Sequence, residues 1–237
     1  IGVDEFEGQL LAQELSDHIH DDRIIRISSS RKLTDMGWTV FANKGFLAEY
    51  RKGKQIASID LRKCTALQGT HNHQNACAAY AAVRAMGIGP REIEKAFFSF
   101  TGLPHRSQLV REIGGVVFIN DSKATNIDSA IKALLTYPNI RWICGGQQKE
   151  GDISRINKAL VNVQKAYVIG ADSAGYSNQI SCDYEICNTM DMAVKSAFRD
   201  AKKGDTILLA PAAASFDQFS SFEERGETFE SEVVKLM

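Results

Sequence analysis

No apolar run in this 237-residue chain approaches the length needed to span a membrane, and its first residues carry no basic and apolar signal pattern. The expectation is a soluble, cytoplasmic protein that does not engage a membrane. An excess of one charge is also missing. Lys and Arg number 28 against 29 Asp and Glu, so nothing pulls the whole surface toward nucleic acid, and any phosphate recognition has to be local. Cysteine is sparse. Cys64, Cys77, Cys144, Cys182 and Cys187 are odd in number and form no Cys-x-x-Cys pair, which suits a reducing cytosol with thiols as small core residues. The motifs that would announce a chemistry outright are absent too: there is no Gly-x-x-x-x-Gly-Lys-Ser/Thr, no Gly-x-Gly-x-x-Gly, no Gly-x-Ser-x-Gly and no His-Glu-x-x-His. Internal repeats and low-complexity stretches are lacking.

What is present reads as two unlike halves. The chain opens on Ile1-Gly2-Val3-Asp4, the end of a strand entering a helix (Phe6 to Leu15). Ile24, Ile25 and Ile27 mark a short strand, and Trp38 to Phe41 with Phe46 to Tyr50 alternate around Asn43-Lys44-Gly45 as a hairpin. Ile56 to Leu61 extends the same small sheet. An alanine-rich helix with an amide-rich start runs to Met86 and stops at Gly87, and Pro90 opens another. Phe100-Thr101-Gly102-Leu103-Pro104 breaks the pattern, which places a domain boundary between residues 99 and 100. Beyond it, short apolar runs at Val116–Ile119, Ile140–Cys144, Ala166–Ile169, Tyr184–Cys187 and Thr206–Leu209 alternate with helical patterns at Ile127–Leu135, Ile153–Val161 and Met190–Ala201, and Phe222–Leu236 closes the chain as a helix. That alternation calls for an α/β fold with a mostly parallel sheet and helices on both faces.

In such a sheet the strand-to-helix loops open on one edge, where ligands bind. Three of those loops are rich in functional groups: Asp121-Ser122-Lys123-Ala124-Thr125, Gly145-Gly146-Gln147-Gln148-Lys149-Glu150, and Pro211 to Asp217. Asp121 suits ribose hydroxyls, and Lys123 suits a phosphate or developing negative charge. Gly145-Gly146 lets backbone come close to a ligand, with Lys149 beside it. Ser215 is placed at a helix N-terminus, favourable for a carboxylate. Together these loops point to a pocket for an anionic small molecule. His71-Asn72-His73-Gln74-Asn75 offers no partner at metal-ligand spacing. Helix capping by Asn72 and adenine pairing by Asn75 both remain open from the residues alone. Arg106, at the domain boundary, is a candidate ribose or phosphate contact.

Four strings occur together in one order: His71-Asn72-x-x-Asn75-Ala76, then Phe100-Thr101-Gly102-Leu103-Pro104-His105-Arg106, Asn120 to Asn126, and Ser215-Phe216-Asp217-Gln218-Phe219. In this the chain resembles the Mur ligases, over essentially its whole length but only over their C-terminal half. The resemblance implies a Rossmann-like C-terminal domain at residues 100–237, preceded at residues 1–99 by an α+β remnant of the central ATP-binding domain. It also implies an ATP-dependent amide-bond ligase of peptidoglycan synthesis. In that reaction UDP-N-acetylmuramoyl-L-alanine is activated as an acyl phosphate and attacked by the amine of D-glutamate. On this resemblance Asn75 would contact adenine, and Arg106 and Asp121 would hold the adenosine. Lys123 would sit near the transferred phosphate. Thr125, Lys149, Ser215 and the backbone around Phe216 and Phe222 would hold D-glutamate. The family's phosphate loop and Mg2+ ligands are expected upstream of Ile1, so the chain alone is expected to be inactive. A stand-alone module that binds adenine nucleotide or a dicarboxylate without chemistry is the alternative. A sibling ligase that adds glutamate to folate is disfavoured by Asp-Ser-Lys-Ala-Thr-Asn.

Overall fold

A computed structural model describes residues 1–34, 37–147 and 152–236. Its contacts divide the chain into two compact units, Ile1–Thr101 and Gly102–Met237.

The first unit is a four-stranded sheet carrying helices. After α1 (Phe6–Ser16), β1 (Ile25–Ser28) runs parallel to β2 (Trp38–Asn43), and β3 (Phe46–Arg51) and β4 (Lys54–Asp60) follow antiparallel in the order β1-β2-β3-β4. Ile27, Val40, Leu47 and Ile59 of the sheet bury against Ala76, Cys77, Tyr80 and Ala81 of α2 (Thr70–Ala85) and Ile93 of α3 (Pro90–Ser99). A buried carboxylate pins α2 to the sheet: Glu49 accepts from Tyr80 Oη at 2.8 Å, Arg84 Nε at 2.9 Å and Trp38 Nε1 at 3.0 Å. Burial raises the cost of its charge, and the Arg84 and Tyr80 bonds outweigh that, leaving it below the ordinary carboxylate range.

The second unit is the α/β half, a three-layer arrangement with one six-stranded sheet. Its elements are β5 (Gln108–Ile113), β6 (Val116–Asn120), α4 (Ile127–Leu134), β7 (Ile140–Gly145), β8 (Val163–Ile169), α5 (Ser173–Ser177), β9 (Tyr184–Asn188), α6 (Met190–Asp200), β10 (Thr206–Leu209) and α7 (Phe222–Val234). The strand order is β5-β6-β10-β7-β8-β9. All neighbours are parallel except β5, which pairs antiparallel with β6 as a hairpin turning through Gly114 and Gly115. The strands alternate faces as strands must. Ile119, Trp142, Cys144, Ala166, Val168 and Leu208 pack on one side with α4, while Phe118, Ile143, Tyr167, Ile169, Ile207 and Leu209 pack on the other with α6 and α7.

Three features depart from the sequence reading, one of them the short helix α5, whose five residues the sequence left unassigned. The edge strand β5 was not anticipated, because its residues are half-exposed and do not alternate cleanly. The segment read as an α-helix at Ile153–Val161 is a run of 3-10 turns, Ile153–Asn162. Its buried residues Ile153, Ile156, Ala159 and Leu160 fall at spacings that an α-helix shares, so the residues alone read as α-helical.

The strand order positions the site. The last strand, β10, inserts between β6 and β7, so the loop that follows β6 and the loop that follows β10 become neighbours at the carboxyl edge. Asp121 N donates to Leu209 O at 2.8 Å, and Ala212 N donates to Ala124 O at 2.9 Å.

Candidate functional site

At the end of β6 the chain turns on a buried asparagine. Asn120 Oδ1 accepts from Ser122 N at 3.0 Å, a short side-chain turn that reverses the backbone. Its Nδ2 reaches Glu230 Oε1 (2.8 Å), His105 Nδ1 (3.0 Å) and Gly226 O (3.2 Å). His105 O in turn accepts from Lys123 N at 3.0 Å. The loop thus leaves the strand already fastened to α7 and to the segment before β5.

Arg225 completes that fastening. It is 1% exposed and donates from Nε to Ser122 Oγ (3.0 Å), from Nη2 to Ser122 O (2.9 Å) and from Nη1 to Ala213 O (3.1 Å). Desolvation lowers its guanidinium to about 10, still charged at neutral pH. One buried cation therefore clamps the 121–126 loop to the 211–217 loop. Ser122 Oγ passes the link on, donating to Phe222 O at 2.8 Å.

Between the clamped loops lies a cavity of about 160 Å³ lined by Lys123, Thr125, Ala214, Ser215, Phe216 and Phe222. It is well below the roughly 300 Å³ at which drug-sized ligands begin, so its scale is that of a single small acid. Lys123 Nζ stands 3.9 Å from the centroid of the Phe222 ring. Ser215 is 2% exposed, whereas Phe216 at the rim is 69% exposed. Asp217 and Gln218 hold the far end of the loop, Asp217 Oδ2 accepting from Ala171 N (3.0 Å) and Gln218 Nε2 donating to Asn188 O (2.8 Å).

Asp121 does not line this cavity. Its Oδ1 accepts from Ser107 N at 3.0 Å, and burial raises its carboxyl to about 6, with the Ser107 bond and the nearby Arg106 guanidinium offsetting part of the rise. Arg106 itself is exposed, between His105 and Ser107, both in the left-handed backbone region (φ 58° and 46°).

Of the nine candidates read from the sequence, Lys123, Thr125, Ser215, Phe216 and Phe222 surround one cavity, and Asp121 and Arg106 flank the same loop. Asn75 is exposed on α2 of the first unit. Lys149 lies outside the described residues, as do Gln148 and Glu150. Two local readings are corrected, those at Ser215 and Asn72. Ser215 is not at a helix N-terminus: it begins a single turn closed by Gln218 N and Phe219 N on Ser215 O, and α7 starts later at Phe222, where Ser221 caps it by accepting from Glu224 N at 3.2 Å. Gly145 and Gly146 are needed by the protein's own backbone: a Cβ on Gly145 would fall 2.2 Å from Ile169 O, and one on Gly146 would fall 2.4 Å from Ala214 O. Asn72 caps no helix, because α2 begins at Thr70 with Gly69 as its N-cap, and the Asn72 amide donates to Gln68 O at 2.8 Å.

Sequence reasoning gave no role to Arg225, although the signal was there. Arg225, Gly226, Phe229 and Val233 form the buried stripe of α7, and a glycine within an otherwise good helix marks a close approach. A Cβ on Gly226 would meet His105 Nδ1 at 2.2 Å. Among the described residues, no group of three or more His, Cys, Asp or Glu stands together to hold a metal ion, and no helix is long and apolar enough to cross a membrane.

Comparison with known proteins fits this geometry. Residues 105–213 match the Mur ligase, glutamate ligase domain family. The UDP-N-acetylmuramoylalanine--D-glutamate ligase of Ruegeria pomeroyi is 60% identical over 237 residues, and that of Roseobacter denitrificans is 57% identical, each alignment covering 100% of this chain and 51% of the relative. The chain is similar to Mur ligases along its whole length. It spans about half the length of the curated relatives it matches. Among solved structures, the Mur ligase fold recurs at low identity. The Thermotoga maritima UDP-N-acetylmuramate-alanine ligase MurC matches with TM-score 0.63 at 16% identity, covering 94% of this chain and 50% of MurC. E. coli FolC, solved with DHPP and ADP, matches with TM-score 0.60 at 19% identity, covering 90% of this chain and 54% of FolC. The matched Mur ligase segment contains Arg106, Asp121, Lys123 and Thr125, and it ends two residues before Ser215.

Proposed function

We propose that this chain supplies the amino-acid site of a cytoplasmic, ATP-dependent ligase that joins D-glutamate to UDP-N-acetylmuramoyl-L-alanine in peptidoglycan synthesis. The observation that carries the reading is the small cavity in which an ammonium (Lys123) and two hydroxyls (Thr125, Ser215) meet two aromatic rings (Phe216, Phe222). An ammonium and hydroxyl donors suit carboxylates, and the rings suit a short methylene chain. The relatives at 60% and 57% identity carry D-glutamate in their names, and a dicarboxylic amino acid fits that donor set. A cytoplasmic setting agrees with five free cysteines.

In this reading residues 1–99 form the C-terminal part of an ATP-binding domain and residues 100–237 the last domain. Thr125, Ser215, Lys149 and backbone near Phe216 and Phe222 hold D-glutamate with its amine toward the activated alanine carboxyl. Lys123, on the cavity wall, supplies positive charge both to a D-glutamate carboxylate and where the phosphoryl group leaves. The D-glutamate ammonium gives up one proton to solvent to free its lone pair, the nitrogen forms the new bond to the alanine carbonyl carbon, phosphate departs with the electrons of the C–O bond, and the nitrogen loses a second proton to become the amide. ATP, when bound, supplies the phosphate that activates the carboxylate. Asp121 accepts from a ribose hydroxyl, Arg106 pairs with the nucleotide, and Asn75 pairs with adenine. A half-buried carboxylate with a single backbone donor has acceptor capacity left for a hydroxyl, which supports that role. Among the described residues no cluster of His, Cys, Asp or Glu stands ready for Mg2+. Neither nucleic acid nor a membrane surface enters this reading.

The test is an NMR titration of the chain with D-glutamate and L-glutamate. Saturable shifts of the amides of residues 122–126 and 214–217 are expected with the D enantiomer, more weakly with the L. Lys123→Ala should weaken binding by about tenfold or more, the value of a charged hydrogen bond. Shifts that never saturate, or that lie elsewhere, would overturn the assignment.

A further inference from the structure

Among the described residues three lysines, Lys165, Lys195 and Lys235, pair with carboxylates. Lys165 Nζ, for example, contacts Glu185 at 2.7 Å and Asp200 at 2.8 Å. Lys123 differs. Among the described residues its ammonium partner is a ring, with Nζ 3.9 Å from the Phe222 centroid. That ring is itself fixed. The edge-on ring of His105 lies 6.2 Å away at 81°, Phe222 O accepts from Ser122 Oγ at 2.8 Å, and Phe222 is the first residue of α7, capped by Ser221.

We propose that the aromatic face of Phe222 is a positioning residue for Lys123: it fixes the ammonium at the cavity without cancelling its charge. A carboxylate partner would hold the lysine equally well, but it would have to be displaced before an incoming anion could pair. A π face attracts the cation through its quadrupole and carries no net charge. The side chain is therefore ordered in advance, which lowers the entropic cost of binding, while its full charge stays available. The ligand this favours is an anion that enters the cavity beside the ring, a carboxylate or a phosphoryl oxygen. The proposal deepens the D-glutamate reading and rests on it for the identity of the ligand, but not for the lysine–ring contact.

The experiment uses the whole chain with lysine side chains labelled, the Lys123 ε-methylene signal being assigned through Lys123→Arg. In the unmodified chain that signal should be shifted upfield by the ring current. Phe222→Leu should return it to the position of a solvated lysine and weaken D-glutamate binding by roughly three- to tenfold. Phe222→Tyr should restore both. Phe222→Met, which keeps apolar bulk without a π face, replaces the leucine variant if amide dispersion shows that one unfolded. An unshifted ε-methylene in the unmodified chain would overturn the proposal, as would a leucine or methionine variant that binds D-glutamate as tightly as the parent. Absence of D-glutamate binding to the unmodified chain would instead overturn the amino-acid reading. The ε-methylene shift and its loss on substitution would then decide the role of Phe222 alone, with inorganic phosphate as the second anion probe.

Discussion

Asp121 concentrates the residue-scale chemistry of the site. Burial raises its carboxyl from the ordinary 3.8 to about 6, so the folded chain holds a proton that the unfolded chain has released between those values. Stability contributed by protonated Asp121 is complete below about pH 4 and is lost as pH rises through 6, a swing of about 3 kcal/mol. Asp121→Asn should therefore stabilise the chain at pH 7.5 relative to its parent and lose that advantage at pH 4.5. Urea denaturation at the two pH values measures it, and parallel profiles would refute the assignment. At this scale the sequence was informative about polar groups delivered at the end of a strand. Asp121, Lys123 and Thr125 announce themselves as polar residues after an apolar run. Arg225 did not, because in Phe222-Glu223-Glu224-Arg225-Gly226-Glu227 it looks like one more charge on a solvated helix face. Only the fold shows that it turns inward to three buried acceptors.

Among the elements, α7 does the most to set the cavity. It brings Phe222 to the rim, Arg225 to the clamp and Gly226 against His105. Gly226→Ala places a methyl 2.2 Å from His105 Nδ1, so the helix must back away or the imidazole must leave Asn120. The expected cost is about 1–3 kcal/mol, the range of small-to-large changes in a packed core. Adding His105→Ala should recover part of it, and a double-mutant cycle by thermal denaturation reads the coupling. Additive losses would mean that the two residues do not meet. Elements were legible where an apolar run had the right period: β6, β7 and β10 match their readings to within about a residue. The failures have physical causes. The 3-10 run was hidden by an α-helical reading of buried residues three apart, and β5 by a half-exposed face. The turn at Ser215 was mistaken for a helix start because a polar loop after a strand usually begins one.

For the whole molecule, the decisive fact is the insertion of β10 between β6 and β7. Alternation of strands and helices told of a parallel sheet but not of its order, since strand order depends on long-range pairing that no local pattern encodes. That order makes the loops after β6 and β10 neighbours and creates the cavity. A complete reaction also needs a cradle for the γ-phosphate, and this sequence contains no Gly-x-x-x-x-Gly-Lys-Ser/Thr. The chain assayed alone with ATP, Mg2+, UDP-N-acetylmuramoyl-L-alanine and D-glutamate should accordingly release no ADP. The most direct test of the account joins this chain to the first half of the 60%-identical Ruegeria pomeroyi ligase, in place of that enzyme's own matching half, and measures ADP release dependent on D-glutamate. The account predicts that the chimera turns over and that Lys123→Ala abolishes most of that turnover in a folded protein. A folded chimera without D-glutamate-dependent ADP release, or one indifferent to Lys123→Ala, would contradict it.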